Sequence, residues 1–316
     1  MKKTIHRVLQ HSSISQKPPV LLDIGASGFL PEKWQWIAPY SIGIAFDADT
    51  RDFAVCESTT SGYKKLYSLN RLVADRPAAA VDFYLTRSPH CSSSLPPDNQ
   101  ALKPWLFRSL FEVEQSIKMP AVDLRSAITS CGVDYIDWYK SDSQGTDLRI
   151  FSALPQNIIS QALVAEFEPG VIDAYIGEDK LHGLMAFMDQ KPFWVSNMTV
   201  KGTQRIDQND FDALNSLQRR GINSFLKKAP GWCEISYINT FNTESMGLRE
   251  YLLGWVFSSI MGEHGFAKHL ARMGGAKYPD PLFEEMLLAS TRALSKGYLG
   301  LAVKAIKRAA RMIIGK

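Results

Sequence analysis

Short apolar runs alternate with amphipathic stretches along most of the chain. The clearest runs are PVLLDIG at 19–25, SIGIAF at 41–46 and ALVAEF at 162–167, a pattern typical of buried parallel strands. Similar runs predict strands at 64–69, 79–86, 135–139, 192–200 and 233–241, with helices at 31–37, 50–62, 121–132, 146–154, 180–188 and 207–228. Strands that alternate with helices predict an α/β fold with a mostly parallel sheet covered on both faces.

The remainder of the chain is patterned as helix throughout. We therefore predict two parts, an α/β domain at 1–243 and a helical extension at 244–316. The segment 251–257 is apolar nearly all round, so it packs either on the domain or on a second copy, which leaves homo-oligomerisation open. The basic, amphipathic stretch 299–316 suits either a solvated helix end or a peripheral contact with an anionic membrane surface.

Basic and acidic residues are unevenly distributed along the chain. The whole sequence has 36 Lys and Arg against 32 Asp and Glu, a net charge of +4. Seven basic and no acidic residues follow position 285, which leaves 29 basic against 32 acidic residues before it. A mildly acidic body argues against a nucleic-acid partner, which would require a basic face. With 45% apolar and 22% charged residues, the composition is that of an ordinary globular protein.

The spacing of the cysteines and the hydropathy of the chain indicate the cellular compartment of the protein. The four cysteines are widely and irregularly spaced without a CxxC pair, which argues against a zinc site or a small disulfide framework. The N-terminal segment lacks the apolar centre of a signal peptide. The longest apolar stretch, 251–262, is shorter than the roughly 20 residues that a membrane helix needs. These features predict a cytoplasmic protein, with the tail as the one candidate for contact with the inner membrane surface.

Three predicted strands are followed by residues suited to a small polar ligand. We call the residues at the carboxyl end of a strand its exit. The exit of the first strand is Asp23-Ile-Gly25-Ala26-Ser27, the exit of the second contains Asp47, and the exit of a later strand contains Asp142. In an open α/β sheet, ligands bind outside the carboxyl ends of the strands. Glycine lets a ligand approach the backbone, and an acidic residue about 20 positions further on accepts ribose hydroxyls. The GxGxxG motif is missing, which favours a nucleoside ligand without a pyrophosphate, such as S-adenosylmethionine.

Four segments in this order carry a more specific signal: LLDIGASG, IAFDAD, TRSPHCSSSL and VDYIDWYKSDSQGTDLRIF. Together they resemble the FkbM family of S-adenosylmethionine-dependent methyltransferases, over about residues 21–200. The last segment is the most distinctive, and its matching positions are Val133, Asp134, Tyr135, Ile136, Lys140, Asp142, Gln144, Gly145 and Asp147. The sequence departs from the family pattern after Ala26, and it has Asp47 and Asp147 where glutamate is usual.

The resemblance implies a Rossmann-like methyltransferase fold, with a mostly parallel seven-stranded sheet and an antiparallel edge hairpin formed by 192–200 and 233–241. It also implies cofactor contacts. Asp23, Gly25 and Ala26 would line the methionine end of S-adenosylmethionine, with Ser27 in the same loop. Asp47 would bind the ribose, and the Asp142 side chain would lie near the sulfonium.

Members of this family typically methylate hydroxyl groups, so we expect a sugar, a glycan or a natural product as the acceptor. The candidate general bases are Asp142 and His90, since histidine titrates near neutral pH. Two plainer roles stay open: an exposed loop histidine, and a carboxylate that caps the helix at Thr146. A non-catalytic protein that keeps this fold is the main alternative, and the missing GxGxxG disfavours an NAD-dependent reductase.

A metal-dependent variant is also conceivable. Asp142 with Glu166 or Glu168 would offer oxygen ligands for Mg²⁺ at neighbouring strand ends. A cationic sulfonium already accounts for carboxylates at this place, so we predict no metal.

Overall fold

The computed structural model describes residues 1–26, 30–51, 62–242 and 245–295. Contacts divide the chain into two compact units. Pro19–Asn242 forms one, here called the sheet unit, and Met1–Pro18 joins Thr243–Lys316 in the other, the helical unit. One division falls near residue 243, and Met1–Pro18 groups with the C-terminal residues and not with the α/β part.

The described residues of the sheet unit form ten strands. In chain order they are β1 Val20–Ile24, β2 Ile42–Phe46, β3 Lys65–Leu69, β4 Leu72–Ala74, β5 Ala78–Thr86, β6 Val113–Asp123, β7 Trp138–Ser141, β8 Val164–Phe167, β9 Phe193–Thr203 and β10 Ala229–Asn239. Seven of them form the main sheet in the order β3-β2-β1-β7-β8-β10-β9. The strands from β3 to β8 are parallel, whereas β10 runs antiparallel to both β8 and β9.

The main sheet is therefore the expected mostly parallel seven-stranded α/β sheet, compatible with a Rossmann-like fold. Strand β1 is buried at every position from Val20 to Ile24, which explains the uninterrupted apolar run in the sequence. Large buried rings fill the space beneath the sheet. Tyr139, Phe151 and Phe167 pack together with ring centroids 4.8–5.5 Å apart.

A second sheet, with the order β4-β6-β5, was not predicted. Its longest strand, β6, has mostly exposed or half-buried residues with many polar side chains, so it lacks the apolar signal of the main strands. The prediction of a helix at 121–132 was wrong at its start. The strand continues to Asp123, whose carboxylate caps the following helix by accepting the N–H of Ser126 at 2.8 Å.

The helices of the described ranges are, in chain order, α1 Lys2–Leu9, α2 Ser12–Gln16, α3 Asn99–Leu102, α4 Leu124–Ser130, α5 Asp147–Ser152, α6 Gln156–Gln161, α7 Leu181–Met188, α8 Gln208–Ala213, α9 Ser216–Phe225, α10 Leu248–Ile260 and α11 His264–Lys277. A further helix, α12, covers 282–295. Short 3-10 turns lie at Glu32–Trp36, Ala38–Tyr40, Pro89–Cys91 and Arg108–Phe111.

Two further helix predictions need correction. The segment 31–37 forms 3-10 turns, and Pro39, which lacks an N–H donor, interrupts any longer helix. The segment 207–228 divides into α8 and α9, because Asn215 starts a new helix with a capping box to Gln218. The predicted helix 50–62 falls mostly on residues 52–61, outside the described part of the chain.

The helical unit contains α1, α2, α10, α11 and α12. Within it α10 is buried on every face from Tyr251 to Ser259, in agreement with its apolar sequence. Trp255 Nε1 donates a hydrogen bond to Ser290 Oγ at 2.9 Å, which links α10 to α12. The basic tail at 299–316 lies outside the described residues. None of the helices within the described ranges has the length and apolarity needed to cross a bilayer.

Candidate functional site

The strand order of the main sheet reverses between β1 and β7. The chain proceeds from β1 to β2 on one side and returns at β7 on the other, which is the switch point where α/β sheets bind ligands. Ile24 is level with Phe46 on one neighbour and with Ser141 on the other. The residues that follow these three strands, Gly25, Asp47 and Asp142, therefore leave the sheet side by side.

Gly25 lies against the backbone of the neighbouring exit. Its φ is +77°, and a Cβ at this position would be 2.1 Å from the carbonyl oxygen of Asp142. The N–H groups of Gly25 and Ala26 both donate to the carbonyl of Phe46, at 2.9 and 3.0 Å. The turn therefore requires glycine for both its conformation and its close approach.

The Asp142 carboxylate belongs to a hydrogen-bonded chain. Gln144 Nε2 donates to Asp142 Oδ1, and the Tyr175 hydroxyl lies 2.9 Å from Gln144 Oε1 and 2.8 Å from the Cys91 carbonyl oxygen. Gln144 adopts a left-handed backbone conformation, with φ of 55°. The amide of Gln144 therefore orients the carboxylate and ties it to the loop that contains Cys91.

Asp147 is the structural carboxylate of this exit. Its Oδ1 accepts hydrogen bonds from Ser141 Oγ at 2.7 Å and from the Ser143 N–H at 2.8 Å, and its Oδ2 accepts one from the Glu168 N–H at 2.9 Å. It thereby joins the exits of β7 and β8. The side chain of Thr146 makes no capping bond to α5, and Asp142 pairs with Gln144, so the helix-capping role considered for Asp142 is not observed.

A narrow cleft of about 50 Å³ is lined by Gly25, Asp47 and Asp142, together with Phe83 of β5. The second sheet thus forms one of its walls. Asp47 Oδ1 accepts the N–H of Asp49 at 2.8 Å. Burial raises the pKa of Asp47 to about 6, and the Asp49 carboxylate also raises it, against the lowering effect of that backbone hydrogen bond.

Asp23 faces a second space, the polar cavity, of about 360 Å³. Its side chain is 1% exposed, and Oδ1 lies 2.7 Å from the Nζ of Lys140. Burial raises the pKa of Asp23, and the nearby Lys140 ammonium opposes this. In the same cavity, Glu166 pairs with Lys33 and accepts hydrogen bonds from Trp138 Nε1 and Ser236 Oγ, both at 2.9 Å. Gly25 and Ala26 also line this cavity, so Gly25 borders both spaces.

Asp142 forms a carboxyl pair with Glu168, the first residue after β8. Burial raises the pKa of Asp142 to about 7, against the lowering effect of the Lys140 ammonium. Burial raises the pKa of Glu168 to about 9, and the Asp142 carboxylate raises it further. Both carboxyl groups thus hold protons more readily than a free carboxyl group, so near neutral pH the pair retains a proton while one of its members can accept another.

His90 lies on the Pro89–Cys91 turn within the serine-rich loop and is exposed. This loop is fixed to the Asp142 exit, because Ser93 Oγ donates to the Gln144 carbonyl at 2.7 Å. His90 and Asp142 line the same space, the apolar cavity, of about 350 Å³. Its other walls include Phe107, Phe111, Ile172, Tyr175 and Trp232.

The described residues thus bring together most of the predicted site. Asp47, Gly25 and Asp142 share the cleft, while Asp23 and Ala26 line the polar cavity. Ser27 lies outside the described residues. In the ranges that are described, no group of three or more His, Cys, Asp or Glu side chains is arranged to hold a metal ion. The Mg²⁺ site considered for Asp142 with Glu166 or Glu168 is therefore not supported by such a group.

Sequence reasoning missed the aromatic wall of the apolar cavity. Phe107 and Phe111 belong to the segment 105–111, which no predicted element covers, and Trp232 lies just before the predicted start of the last strand. The richness of WLFRSLF in large apolar residues was the available signal. The sequence indicates Glu168 only as a possible metal ligand. Its position beside Asp142 depends on how the ends of β7 and β8 align, which the sequence alone does not show.

Comparison with known proteins adds no relative. No model of a protein family and no curated protein matches this chain. The likeness to the FkbM family therefore rests on the four sequence segments alone.

Proposed function

We propose that this protein is an S-adenosylmethionine-dependent O-methyltransferase of the FkbM type. The observation that carries the proposal is the convergence of Gly25, Asp47 and Asp142 on one cleft at the switch point of the sheet. A glycine turn, an acidic residue after the second strand and a carboxylate after the next central strand form the set that binds a cationic nucleoside without a phosphate.

The donor set fits this cofactor. The Asp47 carboxylate can accept hydrogen bonds from both ribose hydroxyls once it is ionised, and Gly25 borders the cleft without a side chain that would fill it. Acidic groups line both spaces that border Gly25, which suits a positively charged sulfonium. The cleft is smaller than a ligand pocket usually is, so we expect its walls to separate when the cofactor enters.

When bound, S-adenosylmethionine would supply an already activated methyl group. The remaining task of the protein is to hold the acceptor hydroxyl in line and to take its proton. We assign the proton to the Asp142 carboxylate, because the Gln144 amide fixes its orientation and its pKa of about 7 matches neutral pH. His90 lines the cavity beside it and is the second candidate base.

Calorimetric titration with S-adenosylmethionine and S-adenosylhomocysteine tests the proposal directly. We expect both to bind, and Asp47→Ala to weaken both by at least about tenfold, because each hydrogen bond to a charged group contributes about 1.5–3 kcal/mol. Asp82→Asn is the matched control, since that carboxylate is exposed and its ion pair within the described residues is with the exposed Lys118. Its affinity should equal that of the unmodified protein.

The pH dependence of the titration gives a second readout. Cofactor affinity should fall as the pH drops through about 6, where Asp47 becomes protonated and its oxygens accept less strongly. If neither compound binds to the unmodified protein at pH 8, the methyltransferase assignment fails and a binding or scaffold role for this fold takes its place.

A further inference from the structure

The apolar cavity has a wall of interlocked rings. Phe107 contacts Phe111 with ring centroids 5.3 Å apart and Trp232 edge to face at 6.3 Å. Phe111 in turn meets Tyr175 edge to face at 5.5 Å. Rings that hold one another in this way form a rigid surface, so the cavity is shaped before a ligand arrives.

The polar side chains of the cavity are largely engaged within the protein. The amide of Gln144 binds Asp142 and lies near the Tyr175 hydroxyl. The Glu178 carboxylate accepts from Lys180 Nζ at 3.0 Å and from the Ala174 N–H at 2.7 Å. A free sugar would bring several hydroxyl groups into this space, and each unpaired one costs free energy on burial.

The carboxyl group of Glu168, unlike these polar side chains, is not engaged in a hydrogen bond with another side chain of the described residues. It lines the apolar cavity beside Asp142. Its protonated form can donate to an oxygen atom that approaches Asp142. The cavity therefore offers two adjacent carboxyl groups at one place and apolar rings elsewhere.

The charge of the lining favours neutral ligands. Asp142, Glu168 and Glu178 are acidic, and the lining of the described residues contains no lysine or arginine. The nearby ammonium groups of Lys140 and Lys180 do not line the cavity and are already paired, with Asp23 and Glu178. An acceptor with a phosphate, sulfate or carboxylate would therefore meet carboxyl groups without a cation in the described lining to pair with.

We propose, on the basis of the proposed function, that the apolar cavity binds the methyl acceptor and that this acceptor is an uncharged hydroxyl compound with an apolar ring system. Its hydroxyl lies between Asp142 and Glu168, and its rings pack on Phe107, Phe111 and Trp232. The volume of about 350 Å³ suits a fused ring system of this kind. This narrows the acceptor to ring-containing natural products and sets aside free sugars and phosphorylated glycans.

Three probes test this inference at pH 6.5: 2-naphthol, 6-hydroxy-2-naphthoic acid and methyl glucoside. Binding is measured by calorimetry and saturation-transfer NMR, with and without S-adenosylhomocysteine, so no turnover is needed. We expect naphthol to bind, the naphthoate to bind at least about tenfold more weakly and the glucoside to show no affinity. Trp232→Ala should weaken naphthol binding about tenfold, whereas the control Trp36→Ala, an exposed tryptophan outside the cavity, should not.

Ile172→Lys adds a cation to the wall and should shift preference toward the naphthoate. Equal or tighter binding of the glucoside or the naphthoate by the unmodified protein would overturn the inference, as would naphthol binding that is insensitive to Trp232→Ala. The two proposals fail separately. Cofactor binding without naphthol binding refutes the acceptor class alone, whereas naphthol binding without cofactor binding refutes the methyltransferase and leaves the ligand chemistry of the cavity standing.

Discussion

The contact between Gly25 and Asp142 permits a strict test of how the site is built. In Gly25→Ala, the new Cβ would lie 2.1 Å from the Asp142 carbonyl oxygen, so the two exits must separate by about 1.3 Å to reach the 3.4 Å of ordinary contact. Alanine also resists φ of +77°, at a cost of roughly 1–2 kcal/mol. Overpacking adds about 1–3 kcal/mol.

Gly132→Ala isolates the effect of the contact. Gly132 has φ of +74°, almost the same as Gly25, but a Cβ there would have no neighbour within 4 Å. This control therefore loses only the roughly 1–2 kcal/mol of the left-handed conformation. The difference between the two variants, about 1–3 kcal/mol, measures the packing of the β1 exit on the β7 exit.

Urea unfolding followed by tryptophan fluorescence provides the measurement. Six of the seven tryptophans lie in the sheet unit, so their signal reports mainly on its unfolding. Cofactor affinity and methyl transfer to an identified acceptor are measured on the same samples. A displacement of about 1 Å at the Asp142 exit should lower turnover by about 100-fold in Gly25→Ala and leave it intact in Gly132→Ala. Equal stability and equal cofactor affinity of the two variants would refute the proposed close approach.

Three further variants test the charged groups of the site. Asp142→Asn removes a carboxylate from the cofactor cleft, so it should weaken cofactor binding and should lose methyl transfer even when the cofactor is saturating. In the unmodified protein transfer should rise with pH through about 7 as Asp142 loses its proton, and full activity of the variant would remove Asp142 as the base. Glu168→Gln should gain thermal stability relative to the unmodified protein between pH 5 and 9, by at most about 1.4 kcal/mol per pH unit. The reason is that a folded-state pKa of about 9 makes ionisation unfavourable as the pH rises from 4.5, and a pH-independent difference would contradict that shift. Lys140→Met leaves Asp23 buried without its partner and should lower the free energy of unfolding by about 3–5 kcal/mol, whereas the double variant with Asp23→Asn should recover most of this; no recovery would show that Lys140 stabilises by packing alone.

The main sheet could be predicted because its inner parallel strands are buried on both faces. Val20–Ile24 and Ile42–Phe46 read as continuous apolar runs, and each predicted boundary lies within a residue or two of the observed one. The second sheet could not be predicted in this way. β6 has one small buried stretch near Ala121 and otherwise polar, exposed positions, so its pairing with β5 is fixed by contacts distant in sequence.

The site was predictable to the extent that it depends on strand ends. Gly25, Asp47 and Asp142 come together because parallel strands end at the same edge, a rule that applies to the sequence directly. The partners of these residues followed no such rule. The side chains of Tyr175 and Gln144 are within hydrogen-bond distance although they are 31 positions apart in the sequence, and those of Lys140 and Asp23 although they are 117 positions apart. Only the folded chain shows that these side chains meet.

Two carboxylates five positions apart divide the work of the β7 exit. Asp147 is 2% exposed and uses both of its oxygens to hold Ser141, Ser143 and Glu168, so it fixes the geometry of two strand ends. Among the described residues, Asp142 has a single side-chain hydrogen-bond partner, the amide of Gln144, and it lines both the narrow cleft and the apolar cavity. A carboxylate can act as a base only if its oxygens are not all needed for structure. The structural role of Asp147 is what leaves Asp142 available for chemistry at the point where a cofactor and an acceptor would meet.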